Sequence, residues 1–475
     1  MRKSRIFLLV IAVVVAVGIF FGYNKLQKKD QKEQANFAVV NELHDLITAE
    51  TVYDITSEKL VEGALRGMAN AINDPYSTYY TEQEAAFNKQ TLASERVGIG
   101  LELSEVNGKF IVVAPVKASP AEKAGIRPLD ELVQVNDTRL EGMTFSEVMK
   151  LMQGKEGETL ELVLFRPELD SHIKLSVKRE KLKNTTVQTQ LLEVEDVKIG
   201  YIMISLFAEK TAEEWKNALD ILFEKDIEGL IIDVRDNPGG YLHSVAQMMS
   251  MFEQKETIFA YMQNHEGATE PLKTKSSEAF EPYAKQLQSM PIIILQNEGS
   301  ASASEVFAGA LQDWKRAVLI GVTSFGKGTV QQTWELQNGG EVKLSTNKWL
   351  TPSKRWIHQV GIEPDLEVEQ HPLFKMEQKL LKGRFEVGEY SEELAYSQRV
   401  LSELGYNIGR TDGFFDMDTA NEVEKFRKKY DLQDGRHVDE VFFRELTAQL
   451  QKFKQDPVND MQLQMGVSFI MHQLE

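Results

Sequence analysis

Apolar residues follow three different rhythms along this chain. Over 36–92 they recur every three to four positions, at Leu43, Leu46 and Ile47, then at Leu60, Ala64, Leu65, Met68 and Ile72. That spacing predicts helices with one buried stripe. "DPYSTYY" (74–80) breaks the pattern and suggests packing rather than chemistry. Over 93–180 the period falls to two, and "VGIGLELSE", "KFIVVAPV", "ETLELVLFR" and "SHIKLSVKR" read as strands. Ser119–Pro120 opens a short helix that Gly125 closes, and Thr144 with Glu147 forms a capping box for a second helix ending at Gly154. Over 181–370 unbroken apolar runs take over: "GLIIDV" (229–234), "PIIIL" (291–295) and "AVLIG" (317–321). A helix from Tyr241 follows the first and a helix through about Trp314 follows the second. This βαβ order predicts parallel neighbours whose carboxyl ends share one edge, where open α/β sheets usually place ligands. Beyond a linker starting at 371, residues 386–452 form a helical unit and 453–475 a helical tail.

The resulting fold class is multidomain α/β and α+β. A length of 475 residues suits about three domains at roughly 150 residues each. Acidic residues outnumber basic ones by 72 to 54, for a net charge of −18, which argues against nucleic acid as a partner. The absence of cysteine removes disulfides, thiolate metal sites and thiol catalysis. The eight histidines show no ligand spacing, so neither a metal nor a cofactor is expected. Residues 1–23 stand apart: Arg2, Lys3 and Arg5 precede "IFLLVIAVVVAVGIFFGY", about the length that spans a bilayer. An uncleaved anchor is favoured over a cleaved signal, because no small-x-small site follows and 24–92 opens with a charged linker. Either reading exports the remaining chain.

Candidate chemistry lies in "NEGSASASEVFAGAL" (297–311), where a strand turns into a helix. Ser302 and Glu305 satisfy the S-x-x-E capping box, so Ser302 has a purely structural explanation. Against it, loops from three strands converge here. One ends in "NPGG", whose glycines let backbone amides approach a ligand. Another delivers Lys327 between two glycines. A serine hydroxyl needs a base, and a lysine serves where desolvation populates its neutral amine. "GVTSFGKGT" (321–329) also fits the start of a phosphate-binding loop, but Gly328 replaces the required hydroxyl and a hairpin around Gly339–Gly340 replaces the required helix.

"GSASASE", "TSFGKGTVQQ" and "DVRDNPGGY" together resemble the carboxyl-terminal processing proteases of family S41, in the PDZ-containing, membrane-anchored branch known from Bacillus. The resemblance implies Ser302 as nucleophile, Lys327 as base and Gln331 as the residue orienting the lysine, with Ser300 and Ser304 in support. In a strand, 327, 329 and 331 would share one face. The oxyanion donors would be the Ala303 amide and that of Gly239 or Gly240. Asp236 departs from the glycine many relatives carry there. The segment 93–180, with "GIGL" at Gly98, Ile99, Gly100 and Leu101, resembles a PDZ domain, which implies that a peptide adds as a strand beside a helix. The segment 386–452 resembles a three-helix peptidoglycan-binding-like domain. Arg166, at a strand end, is the candidate for coupling the PDZ domain to the protease core over 181–370. The expected partners are proteins or peptides with free C-termini, and a homodimer is expected. The competing reading, a PDZ scaffold on an inactive protease fold, leaves the joint presence of Ser302, Lys327 and Gln331 unexplained.

Overall fold

The computed structural model describes residues 37–92, 95–106, 108–116, 119–128, 130–166, 169, 171–183, 185–376, 379 and 381–475. The anchor or signal expected over 1–23 lies outside them. Among the described residues no helix is long and apolar enough to cross a membrane. The chain divides into two compact units, Met1–Ala85 with Gln331–Ser345, and Ala86–Val330 with Thr346–Glu475.

In the first unit, helices run over 37–50 and Ser57–Asn70, the second capped by the Thr56 side chain. The stripe that the spacing marks for burial is largely on the outside: Leu43, Leu46, Met68 and Ile72 are each more than half exposed. "DPYSTYY" does more than break a helix. Its Thr78–Tyr80 forms a short antiparallel strand against Glu341–Lys343, with the Tyr79 ring buried. Aromatic and β-branched residues favour that pleated surface even in a three-residue strand.

In the second unit, the module over 93–180 is an antiparallel sheet and two helices. Its strands lie in the order Leu101–Val106, Lys109–Pro115, Glu131–Val135, Thr159–Arg166, Ser171–Lys178. Ser119 and Thr144 cap Pro120–Lys123 and Phe145–Met152, the latter through the reciprocal Glu147 box. The inward alternation of Leu160, Leu162 and Leu164 meets Phe110, Val112, Leu132 and Val148 in one core. Leu101–Val106 sits at the sheet edge. The chain enters and leaves the module through one antiparallel ribbon, Glu95–Gly98 against Glu180–Lys183.

The large sheet has its strands side by side in chain order: Val187–Val194, Val197–Ile204, Gly229–Asp233, Ile292–Gln296, Val318–Gly321 and Leu366–Glu367. The first pair is antiparallel and the remaining pairs are parallel. Parallel crossovers are right-handed, so a sheet that grows in one direction receives its crossover helices on one face. Thr211–Phe223, Leu242–Phe252 and Ala303–Asp313 accordingly pack with Ile202, Leu230, Ile232 and Ile294. The opposite face, with Ile199, Ile231, Ile293, Leu295 and Ile320, is closed by Met461–Leu474 through Leu463, Val467 and Ile470. Coverage on both sides explains why "GLIID" and "IIILQ" are buried at every position. Before this closing helix, Glu392–Glu403, Met417–Lys429 and Glu440–Gln455 gather around Val400, Phe415, Phe426 and Phe442 in a separate core.

Candidate active site

Three loops leave the carboxyl ends of adjacent strands: 234–241 after Gly229–Asp233, 297–302 after Ile292–Gln296, and 322–328 after Val318–Gly321. Ser302 ends the middle loop at φ 56° and ψ −112°, immediately before the helix Ala303–Asp313. That left-handed conformation is uncommon for a residue with a side chain, and such strain accumulates at functional sites. Ser302 is the N-cap residue, and the Glu305 half of the capping box is present, with Ser302 N donating to Glu305 Oε2 at 2.7 Å. The cap and the candidate nucleophile are therefore the same residue.

Glu305 is the residue that sequence reasoning underrated. It is 1% exposed and accepts four hydrogen bonds. Besides Ser302 N, its carboxylate takes Ser324 Oγ at 2.6 Å, Gly326 N at 2.6 Å and Lys327 N at 2.8 Å. One buried carboxylate thus ties the serine loop to the lysine loop. Burial pushes its pKa above the ordinary carboxylate range, against the pull of these donors. Its only signal in the sequence was the S-x-x-E spacing, which reads as helix capping and nothing more. On the other side, Lys327 O accepts from Trp349 Nε1 at 2.8 Å, and Gly328 O accepts from Trp356 Nε1 at 3.0 Å. The backbone of Lys327 is held from both directions. No helix follows it: Thr329–Glu335 is a strand, which removes the phosphate-loop reading.

The glycine loop lies directly against the serine. A Cβ built on Gly239 would stand 2.8 Å from Ser302 Cβ and 2.9 Å from Ala303 N, so only glycine fits at this approach. Gly239 N donates to Asn237 Oδ1 at 2.9 Å, and Gly239 O accepts from Phe207 N at 2.8 Å. Gly240 follows at φ 134° beside the Phe207 carbonyl. Asn237 O accepts from Ala301 N and from Ser304 Oγ, both at 2.9 Å, while Ser300 Oγ donates to Val234 O at 2.7 Å. Ser300 and Ser304 therefore serve the loop scaffold. Asp236 adopts φ 56°, a conformation that suits glycine and that aspartate tolerates. It exchanges two hydrogen bonds with the Asn297 side chain, at 2.8 and 2.9 Å.

Gln331 belongs to the first unit, where its Nε2 donates to Ser345 Oγ at 3.1 Å. The strand begins at Thr329, so 329 and 331 share its period but Lys327 lies in the preceding loop. In the 93–180 module, Ile99 O accepts from Ala121 N, and Gly100 O accepts from Val116 N and from Ser119 Oγ. Gly100 has φ 74°, and Leu101 begins the edge strand at once. Arg166 is not a solvated strand end. It is 7% exposed and forks onto Asp130, with Nε to Oδ1 at 2.8 Å and Nη2 to Oδ2 at 2.7 Å, and also reaches Gly125 O. These partners, a carboxylate and a carbonyl, are groups of the module itself.

Residues 198–368 match the model of peptidase family S41, 111–166 a PDZ domain, and 21–84 the N-terminal domain of the activating protease CtpB. The carboxy-terminal processing protease CtpB of Bacillus subtilis is 35% identical over 460 residues, covering 94% of each chain. CtpA of the same organism is 32% identical over 479 residues, covering all of both chains. Among solved structures, the photosystem II D1 C-terminal processing protease is 26% identical over 69% of this chain and 86% of its own, at a TM-score of 0.43. The chain belongs to peptidase family S41, as a serine-type peptidase of the carboxy-terminal processing group that carries a PDZ domain.

Proposed function

We propose that Ser302 and Lys327 form the catalytic pair of an endopeptidase acting at protein C-termini. The observation that carries this reading is the left-handed Ser302 at a helix start, joined through Glu305 to the backbone of Lys327. Lys327 Nζ, as the neutral amine, takes the Ser302 hydroxyl proton while Oγ bonds to the scissile carbonyl carbon. The ammonium then protonates the departing amine, and water releases the acyl group from the serine by the reverse proton path. The oxyanion is held by Ala303 N–H at the positive end of its helix and by Gly240 N–H, because Gly239 N–H is committed to Asn237. Ser302→Ala and Lys327→Arg should each lower kcat by at least about a thousandfold, since hydroxyl attack is lost in one and guanidinium remains charged in the other. Measured hydrolysis of a peptide substrate within tenfold of wild type in either variant would sink the pair.

The PDZ domain presents the edge strand Leu101–Val106, next to Gly98, Ile99 and Gly100, to an incoming C-terminus. Its entry and exit share one ribbon, a connection suited to a domain that swings over the cleft and gates it. Residues 1–23 anchor the chain with its catalytic domains outside the cytoplasm, as a single-pass protein of the cell membrane. There it trims or degrades envelope proteins, sporulation signalling being one setting. The three-helix unit contacts peptidoglycan through a polar cavity of about 570 Å³ lined by Asn407, Asp418, Asn421, Glu424 and Lys428. The exposed apolar stripe of the N-terminal helices, with Phe37, Val40 and Leu43, supports a homodimer. Comparing the C-termini of exported proteins with active and Ser302→Ala enzyme would identify the substrates, and unchanged termini would refute processing.

A further inference from the structure

The glycine loop that lies against Ser302 is held in its middle by Asn237, which bonds Gly239 N and the Ile204 carbonyl, and by Asn297 on Asp236. It runs through Asp236 and two glycines at positive φ, around Pro238. Its far end, Arg235, is fixed from a distant part of the chain. The guanidinium contacts Asp233 through Nε and Nη2, at 3.0 and 2.6 Å, which holds it to its own strand. Its outer nitrogens reach Asp460, with Nη1 to Oδ1 at 2.9 Å and Nη2 to Oδ2 at 2.7 Å, and Nη1 also reaches Gln462 Oε1 at 3.1 Å. Asp460 and Gln462 are 7% and 2% exposed. Asp460 is itself set by Gln370 Nε2 at 2.7 Å and caps the closing helix by accepting from Leu463 N at 3.0 Å. Burial works against both charges, yet Arg235 holds the Asp460 carboxyl below its ordinary range, and the two aspartates raise Arg235.

From Arg235 the loop continues to Asn237, whose carbonyl holds Ala301 N and Ser304 Oγ on either side of Ser302. We propose that Asp460, at the start of the closing helix, is a positioning residue for catalysis: its charge clamps Arg235 and so sets the loop that supplies the oxyanion wall. The closing helix would then complete the active site as well as cover a sheet face. This inference rests on Ser302 being the nucleophile.

Asp460 has two separable roles, capping and charge, and two substitutions exchange them. Asp460→Asn keeps a good cap and removes the charge. Asp460→Glu keeps the charge and weakens the cap. Full-length Asp460→Asn should lose about tenfold in kcat, with KM within twofold and the thermal midpoint nearly unchanged, because a small displacement of reacting groups is costly to rate. Asp460→Glu should keep most of kcat while its midpoint falls by about 2–4 °C. Equal kcat in the two variants, at any level, or the reverse order would overturn the clamp. Ser302→Ala assayed beside them separates the two ideas. If it retains hydrolysis, the nucleophile is wrong; if it is inactive while Asp460→Asn turns over normally, only the clamp is wrong.

Discussion

Two sheets of the larger unit are built on opposite rules. The sheet of the PDZ domain alternates apolar and polar positions, as in Thr159–Arg166, and leaves Leu101–Val106 at an edge. The sheet of the protease core has continuous apolar runs in its central strands and is covered on both faces. An edge strand offers unpaired backbone groups to a partner, whereas a sheet covered on both faces can hold three loops in fixed relation. Binding and chemistry are thus assigned to sheets of different character. Damage to the first should raise KM, and damage to the second should lower kcat or unfold the enzyme.

The largest test is Arg166→Ala. Removing one partner of a buried pair leaves Asp130, 1% exposed, without its cation and costs about 3–5 kcal/mol. The PDZ domain should melt early, peptide affinity should fall, and kcat on a short peptide should persist. This differs from the coupling role read from the sequence, which keeps affinity intact and lowers kcat on protein substrates. Titration with a C-terminal peptide, run alongside the kinetics, decides between them.

Next in size is Gly229→Ala, whose Cβ would stand 2.5 Å from Ile470 Cγ2 under the closing helix. Overpacking there should cost about 1–3 kcal/mol, read as a lower denaturation midpoint with PDZ–peptide affinity unchanged. If affinity falls with it, the two sheets are not independent.

A smaller effect follows from pH. The Asp460 carboxyl is lowered from its ordinary value of 3.8, so its contribution to stability is present above that value and is lost as pH falls through the lower folded value. Protection from hydrogen exchange over 461–474, relative to the intrinsic rate at each pH, should therefore fall as pH drops below about 4 in wild type and depend less on pH in Asp460→Asn. The smallest effect belongs to Asp236→Gly. Relief of a left-handed aspartate offsets loss of the hydrogen bond from Asn297 Nδ2, and stability should move by less than about 1 kcal/mol.

Much of this was legible in the sequence because it is local. Period-two runs, unbroken apolar runs, Ser119, Thr144 and the three loop motifs each announce an element within ten residues. What was not legible depends on register or topology. Arg166 meets Asp130 only because Glu131 stands opposite Phe165 in the sheet. The spacing of Leu463, Val467 and Ile470 marks a helix stripe, but which surface it covers follows from the crossovers of a sheet far upstream. The N-terminal stripe shows the converse, a helical pattern whose apolar side stays largely exposed within its unit.

The closing helix also bears on timing. Chains emerge and fold from the N-terminus onward. The six strands, the three loops and the serine are all made before residues 460–474 exist, so for that interval one sheet face is bare and Arg235 has only its strand-end partner. If Ser302 is the nucleophile and Asp460 sets the wall beside it, a peptidase assembled in this order carries the serine through biosynthesis before its active site is complete, which shortens the period in which it can attack neighbouring nascent chains.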